Sequence, residues 1–254
     1  MTDEATRVLR HEEIGSGYRY LELDAPGIAA EVAPGQFVHV RVATLEDSAL
    51  RRPFSVFDAE GGVLKLLYKT VGRGTRALNL VKPGDTLRVL GPLGKGFPRA
   101  CRGRALLVGG GYGVAPLHFL AKRLAGAASV FIGGRTKDDL LAVENFKALG
   151  VETHLATNDG SAGYKGFVTG PLDEAINALR AKGEAFELFT CGPDGLLKAV
   201  SDRAVSLGVP GWISVDRHMI CGVGACFACI QKTIRGNARC CADGPVFEAK
   251  ELIW

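Results

Sequence analysis

Five of the seven cysteines, Cys221, Cys226, Cys229, Cys240 and Cys241, fall within 21 residues of one another. Three of them follow the pattern C-x4-C-x2-C with a further thiol a short way on, the ligand spacing of a plant-type [2Fe-2S] cluster, in which a tight loop wraps one edge of the cluster. Gly222 and Gly224 let the intervening backbone turn closely and aim amides at the sulfurs. Four thiolates also satisfy a structural zinc ion, but zinc ribbons present two C-x2-C pairs and only Cys226 with Cys229 forms one here. Spacing alone does not choose between Cys240 and Cys241 as fourth ligand. An odd number of cysteines gathered at one end of the chain argues against a secreted disulfide framework. Cys101 and Cys191 lie apart from the group.

Three other stretches carry binding chemistry. In Arg51-Arg52-Pro53-Phe54-Ser55-Val56, followed by Tyr68-Lys69 and Gly72-Arg73-Gly74-Thr75, Arg52 can pair with a flavin pyrophosphate, Gly74 and Thr75 can donate to its oxygens, and Ser55 can reach the isoalloxazine edge. Each piece by itself also reads as a strand start or a plain turn. The run Gly109-Gly110-Gly111-Tyr112-Gly113-Val114-Ala115-Pro116 joins a buried strand to a helix and brings backbone amides up to a pyrophosphate. It lacks the G-x-G-x-x-G spelling and the acidic residue about 20 positions on, so a structural tight turn competes with nucleotide binding. Thr190-Cys191-Gly192-Pro193 ends an apolar run, where residues of an open parallel sheet line the ligand crevice; Cys191 then faces a nicotinamide ring, or is simply a small buried residue. His11, His39, His118, His154 and His218 form no metal-site or dyad spacing and read as structural. No nucleophile elbow or Walker lysine occurs, so hydrolysis and phosphoryl transfer have no footing.

These residues need a frame. In the first hundred positions, 35–42, 62–70 and 85–90 read as half-buried strands bounded by turns, which suggests a small antiparallel β-barrel. From about Arg104 the texture changes. Apolar runs at 105–108, 129–132, 152–156, 185–190 and 211–215 alternate with helical patterns at 115–125, 137–149, 171–181 and 195–207, the signature of a parallel sheet covered on both faces. The expected organisation is therefore an α+β multidomain chain: a barrel over 1–99, an α/β domain over 100–215 and a small cysteine-bearing region over 216–254. With 254 residues, 47% hydrophobic, 23% charged and a net charge of +4 spread thinly, the chain can bury its cores and shows no nucleic-acid signature. No run of about 18 apolar residues occurs, and the N-terminus lacks a basic flank followed by an apolar stretch, so a cytoplasmic protein is expected.

Taken in order, the runs resemble the ferredoxin reductase superfamily. Arg52-Pro-Phe-Ser55, Tyr68-Lys69, Gly72-x-Gly-Thr75, Gly91-Pro-Leu-Gly-Lys-Gly-Phe-Pro98, Asp159-Gly-Ser161 with Gly166-Phe-Val-Thr169, Cys221-Gly-Val-Gly-Ala-Cys-Phe-Ala-Cys229 and Cys241-Ala-Asp-Gly-Pro-Val-Phe247 resemble, more narrowly, the electron transfer subunits of NAD-dependent dihydroorotate dehydrogenase. The resemblance implies an electron relay with no organic substrate of its own. In that family a partner subunit with FMN oxidises dihydroorotate, and electrons pass through [2Fe-2S] and FAD to NAD⁺, feeding pyrimidine biosynthesis within a heterotetramer of two catalytic and two electron transfer subunits.

It further implies that Arg52, Pro53, Phe54, Ser55, Leu67, Tyr68, Lys69, Gly74 and Thr75 hold FAD, with Ser55 at flavin N5. Gly109, Gly110, Gly111, Gly113, Ala115, Pro116, Cys191 and Gly192 meet NAD, with Cys191 near the nicotinamide. The fourth cluster ligand becomes Cys241, since the family places it directly before a residue followed by Asp-Gly-Pro-Val-Phe; the gap from Cys229 is a few residues shorter than usual there. NADH is favoured over NADPH, although Arg135-Thr136 offers a cation for a 2′-phosphate. The rival readings are a reductase subunit of another complex, of sulfhydrogenase or ferredoxin-linked transhydrogenase type, and a zinc-bearing scaffold without flavin.

Overall fold

The computed structural model describes residues 1–42, 50–124 and 126–254. Period-two alternation of apolar residues builds a closed barrel from six antiparallel strands: β1 (Thr2–Gly15), β2 (Tyr18–Asp24), β3 (Phe37–Arg41), β4 (Arg52–Glu60), β5 (Val63–Lys69) and β6 (Thr86–Leu93), joined in the order β1-β2-β5-β4-β3-β6. Leu21, Leu23, Val38, Val40, Leu64, Leu66, Leu87 and Val89 fill its interior. Two short helices, α1 (Pro26–Glu31) and α2 (Arg73–Leu78), sit on its connections. The strands at 35–42, 62–70 and 85–90 are present, whereas β1 and β2 carry no clear signal, because charged residues occupy so many of their positions.

The α/β part has parallel strands β7 (Arg104–Gly110), β8 (Ala128–Gly134), β9 (Glu152–Thr157), β10 (Tyr164–Lys165), β11 (Phe186–Cys191) and β12 (Gly211–Ser214). Helices α3 (Val114–Arg123), α4 (Val143–Ala148), α5 (Thr169–Ala181) and α6 (Asp194–Leu207) cover it. The helix expected over 115–125 is α3, and its last position, 125, lies outside the described residues. The helix expected over 137–149 is interrupted: a 3-10 turn at Lys137–Asp139 precedes α4, and Ala142 between them adopts a left-handed φ of 57°. The break frees the Asp139 side chain to turn toward the barrel, where it accepts a hydrogen bond from Tyr18 Oη at 2.9 Å.

Residues 216–254 form a hairpin of β13 (Ile230–Thr233) and β14 (Gly236–Arg239), then β15 (Val246–Glu248). This last strand pairs antiparallel with β12 through Trp212↔Glu248, Ile213↔Phe247 and Ser214↔Val246, completing a sheet of order β10-β9-β8-β7-β11-β12-β15. The cysteine-bearing region is thus stitched into the α/β sheet.

Two seams join these parts to the barrel. At one, the Gly91–Pro98 run packs on Gly244-Pro245-Val246: Lys95 N donates to Gly244 O at 2.5 Å, and a Cβ on Gly94 would lie 2.6 Å from Pro245 Cδ. At the other, the buried carboxylate of Asp58 on β4 accepts from Lys122 Nζ of α3 at 3.0 and 3.2 Å and from Lys65 Nζ at 3.3 Å. Burial opposes its charge, yet the two ammonium groups hold its pKa below the usual aspartate value.

Candidate functional site

Strand pairing sorts the barrel residues by face. Phe54 and Tyr68 point inward and pack 5.3 Å apart, with Tyr68 Oη donating to Asn79 Oδ1 at 3.0 Å and lying 2.8 Å from His11 Nε2. Burial pushes the Tyr68 phenol up, so it stays neutral. Pro53 and Ser55 take the other face, directly across from His39 and Phe37 of β3. Arg52 lies against the start of α2: a Cβ on Gly74 would sit 2.2 Å from Arg52 Nε, so the bare glycine is what lets the guanidinium and the Gly72–Thr75 turn meet. Thr75 Oγ1 accepts from Val71 N at 2.9 Å and Gly72 N at 3.0 Å, fixing that turn. Leu67 faces the α/β part and shares an apolar cluster with Phe97, Phe189 and Cys191. Lys69 Nζ donates to Tyr18 Oη at 3.2 Å, which places it in the network that reaches Asp139 across the seam.

The second group forms at a topological switch. From β7 the chain works outward through β8, β9 and β10, then returns to the other side of β7 for β11 and β12, and ligands of open α/β sheets lie outside the strand ends at such a point. Gly109 and Cys191 are direct partners there. A Cβ on Gly113 would lie 2.4 Å from Cys191 O, and one on Gly110 would lie 3.0 Å from Pro193 Cδ, so the glycine turn and the Cys191–Pro193 segment touch backbone to backbone. Gly192 holds a φ of 154°, and Gly111 brings the turn beside Tyr18 Oη. Ala115 and Pro116 lie buried in the first turn of α3 beneath it. Burial pushes the Cys191 thiol up to about 12, so it offers shape and polarisability to a flat ring rather than charge. Arg135 follows β8, exposed, with Nε 3.7 Å from Asp139 Oδ2.

The third group is the cysteine loop. Cys221 Sγ accepts from Ala225 N at 3.3 Å and Cys226 N at 3.4 Å, Cys241 Sγ from Gly224 N at 3.1 Å, and Cys229 Sγ from Cys241 N at 3.4 Å. The thiols fall into two interacting pairs, Cys221 with Cys226 and Cys229 with Cys241. At Cys221 burial opposes the thiolate, but amides of Val223, Cys226 and Ala225 outweigh it and bring the group down to about 6. Cys240 points elsewhere, its Sγ 3.8 Å from Val215 O in the core.

Among the described residues no three His, Cys, Asp or Glu side chains converge as they would on one metal ion. Two separate thiol pairs suit a two-iron cluster, whose irons each take two protein ligands. The hairpin supplies the spacing: its two-residue turn at Ile234-Arg235 and the Ile230↔Arg239 pairing return the chain so that Cys240 N donates to Cys229 O at 2.8 Å. This compact return accounts for the short interval between Cys229 and Cys241.

Three residues here escaped the sequence reading. Arg239 Nη1 donates to Gly224 O at 3.1 Å, its Nε to Asp243 Oδ2 at 3.1 Å, and its guanidinium lies 5.5 Å from the Phe227 ring centroid, so it braces the loop. The opposite charges of Arg239 and Asp243, four apart around Cys240-Cys241, were the available signal. His39 left none. It is fully buried, its N–C–N ring edge lies 2.6–2.9 Å from where a Cβ of Gly222 would stand, and neither ring nitrogen has a hydrogen-bond partner among the described residues. Burial, with Arg51 nearby, lowers it to about 4, so the ring is neutral near pH 7. Around the loop Ile220, Val223 and Phe227 are 47%, 46% and 62% exposed.

Comparison with known proteins agrees with this geometry. Residues 216–253 match the iron-sulfur cluster binding domain of dihydroorotate dehydrogenase B, and residues 5–97 match an oxidoreductase FAD-binding domain. The chain is 39% identical to the electron transfer subunit of dihydroorotate dehydrogenase B (NAD⁺) of Desulforamulus reducens, covering 92% of each chain. It is 40% identical to that of Geobacillus sp. strain WCH70, covering 100% of this chain and 99% of the relative. Among solved structures, the NADH-dependent reduced ferredoxin-NADP oxidoreductase superposes with a TM-score of 0.86 at 33% identity, over 100% of this chain and 91% of the other. The ferredoxin reductase of carbazole 1,9a-dioxygenase shares the fold, with a TM-score of 0.67 at 21% identity over 82% of this chain and 67% of its own. With relatives this similar over nearly the full length, and a thiol-paired loop where the cluster-binding model matches, this chain belongs to the family of electron transfer subunits of NAD-dependent dihydroorotate dehydrogenase.

Proposed function

We propose that this chain carries electrons from the FMN of a dihydroorotate-oxidising partner through a [2Fe-2S] cluster and FAD to NAD⁺, in pyrimidine biosynthesis. The observation that carries the reading is the placement of the cysteine loop on the barrel face of Pro53 and Ser55, one strand away through His39, with the glycine turn and Cys191 across the Leu67 seam. When bound, the flavin lets a one-electron cluster and a two-electron nicotinamide exchange charge.

This chain's own residues then have distinct tasks. Cys221, Cys226, Cys229 and Cys241 hold the cluster. Arg52, Gly74 and Thr75 hold the flavin pyrophosphate, with Pro53 and Ser55 at the ring edge and Phe54, Leu67, Tyr68 and Lys69 shaping the strands behind it. Gly109, Gly110, Gly111, Gly113, Ala115, Pro116 and Gly192 cradle NAD, and Cys191 lies beside the nicotinamide. No residue need donate a proton. The apolar rim of Ile220, Val223 and Phe227 meets the catalytic subunit, two copies of each chain forming a heterotetramer. All seven cysteines are free, which fits a reducing cytoplasm, and no described helix is long and apolar enough to cross a membrane.

The test is to purify the chain from its native host with its stoichiometric partner, and to assay NADH formation from dihydroorotate and NAD⁺. Activity in the complex and in neither part alone is expected; a partner without FMN or without dihydroorotate oxidation overturns the assignment. Ser55→Ala is expected to slow flavin reduction by NADH while the cluster persists, and an unchanged rate removes Ser55 from the flavin site. One observation favours a second reading. The 33% identity to the NADH-dependent reduced ferredoxin-NADP oxidoreductase structure points to a reductase subunit of a ferredoxin-linked complex, and the same purification decides between the two.

A further inference from the structure

His39 is anomalous. Its imidazole is fully buried, and a neutral ring carries one N–H donor and one nitrogen acceptor, neither of which finds a partner among the described residues. Leaving a buried polar group unsatisfied is costly, and native interiors almost always supply what is missing through water, an ion or a bound group. The other buried histidine, His118, illustrates the rule: it stacks on Phe57 and has Nδ1 3.2 Å from Phe57 O.

The surroundings of His39 are poor in protein acceptors. Its cross-strand neighbour is Pro53, and the ring beside it is Phe37, 5.6 Å away between centroids. The edge that bears both nitrogens packs against Gly222, the residue after Cys221, where any side chain would collide with the ring. At that place the soft, electron-rich acceptor able to take an N–H is cluster sulfur.

We infer that His39 donates a hydrogen bond from its imidazole to a sulfur of the cluster held by the Cys221–Cys229 loop, a bridging sulfide or the Cys221 thiolate, and thereby sets the potential of the cluster as well as the seating of the loop on the barrel. The inference rests on the [2Fe-2S] reading above. A donor aimed at a cluster sulfur stabilises the more negative, reduced state and raises the potential. Because the same residue lies opposite Pro53 on the flavin strand, it ties the potential of the cluster to the docking of the barrel.

The experiment uses the full chain loaded with FAD and cluster, in wild-type, His39→Leu and His39→Asn forms. Iron and sulfide content is measured first; a wild-type chain without two irons overturns the cluster reading itself, separately from the role of His39. Redox titration followed by the electron paramagnetic resonance of the reduced cluster then reads the potential. A shift to more negative potential is expected in His39→Leu, with recovery toward the wild-type value in His39→Asn, whose amide keeps a donor. An unchanged cluster potential in His39→Leu, equal shifts in both variants, or a shift confined to FAD overturns the inference. Where His39→Leu fails to hold iron, spin-echo spectra of wild-type protein labelled with ¹⁵N-histidine decide. A nitrogen coupling at the reduced cluster that is lost in His39→Asn supports the hydrogen bond, and absence of that coupling rules it out.

Discussion

The nucleotide crevice and the cysteine loop solve opposite problems. The crevice is assembled from strand ends deep in the sheet, where Gly113 lies against Cys191 O and the apolar cluster around Leu67 excludes water. On the proposed reading hydride passes between nicotinamide and flavin here, and a site closed to water strengthens the polar contacts that align the two rings. The cysteine loop is shallow. Cys226 is exposed, Phe227 lies open beside it, and the backbone is held by amide-to-thiol contacts and the single brace of Arg239. On the proposed reading electrons enter there from the partner by proximity, so a short distance matters more than enclosure. On that reading one chain places close-packed backbone where a bond is made and an open rim where only charge moves.

If the two regions are separable in this way, damage to one should spare the other. The largest effect is expected from Cys226→Ser, which should abolish the visible absorption of the cluster while NADH still reduces FAD at close to the normal rate; retained cluster absorption would sink the assignment of Cys226. Next comes the barrel-to-sheet seam. Asp58→Asn leaves Lys122 with only Glu60, and the loss should be about 2 kcal/mol in unfolding experiments, less than the 3–5 typical of breaking a fully buried pair, because Lys122 is partly exposed.

The same seam carries a pH signature. The native Asp58 carboxyl ionises below the 3.8 of a free aspartate, so its stabilisation is complete above pH 3.8 and is lost as the pH falls through its lower native value. Acid unfolding of Asp58→Asn should be correspondingly less steep there than that of wild type; identical slopes would show that the pair contributes nothing. A smaller effect is expected from Gly113→Ala, whose methyl must displace the Cys191 backbone at a cost of about 1–3 kcal/mol. KM for NADH should rise about tenfold with cluster spectra unaltered, and a cluster that changed as well would mean the regions are coupled. Phe227→Ala should be the mildest, weakening association with the catalytic subunit by about fivefold while both cofactors and NADH-driven flavin reduction remain as in wild type.

What the sequence disclosed and what it withheld divide along physical lines. Cysteine spacing and glycine runs were legible because few residue types can make those turns, and the α/β strands were legible because burial on both faces leaves continuous apolar runs such as Ala105–Val108. β1 was not, since Thr2–Gly15 is bound through its backbone while its side chains are largely exposed and charged. The interruption before α4 followed from Asp139 answering a tyrosine 121 residues away, a contact that local periodicity cannot contain. Cys240 and Cys241, indistinguishable by spacing, point in different directions because the hairpin register turns one thiol into the core and the other toward Gly224. His39 looked like any strand residue until the loop that covers it, more than 180 positions later, was brought against it.

The strand that closes the sheet has a consequence for the life of the protein in air. Without β15, the Gly211–Ser214 edge would present a row of unpaired amides and carbonyls, the template on which chains join into aggregates. That guard is anchored between the Cys241 turn and the C-terminal 3-10 turn, so its hold depends on the same segment that carries the oxidisable sulfurs. A disturbance of the cysteine loop therefore bears on that edge through the chain that joins Cys241 to β15.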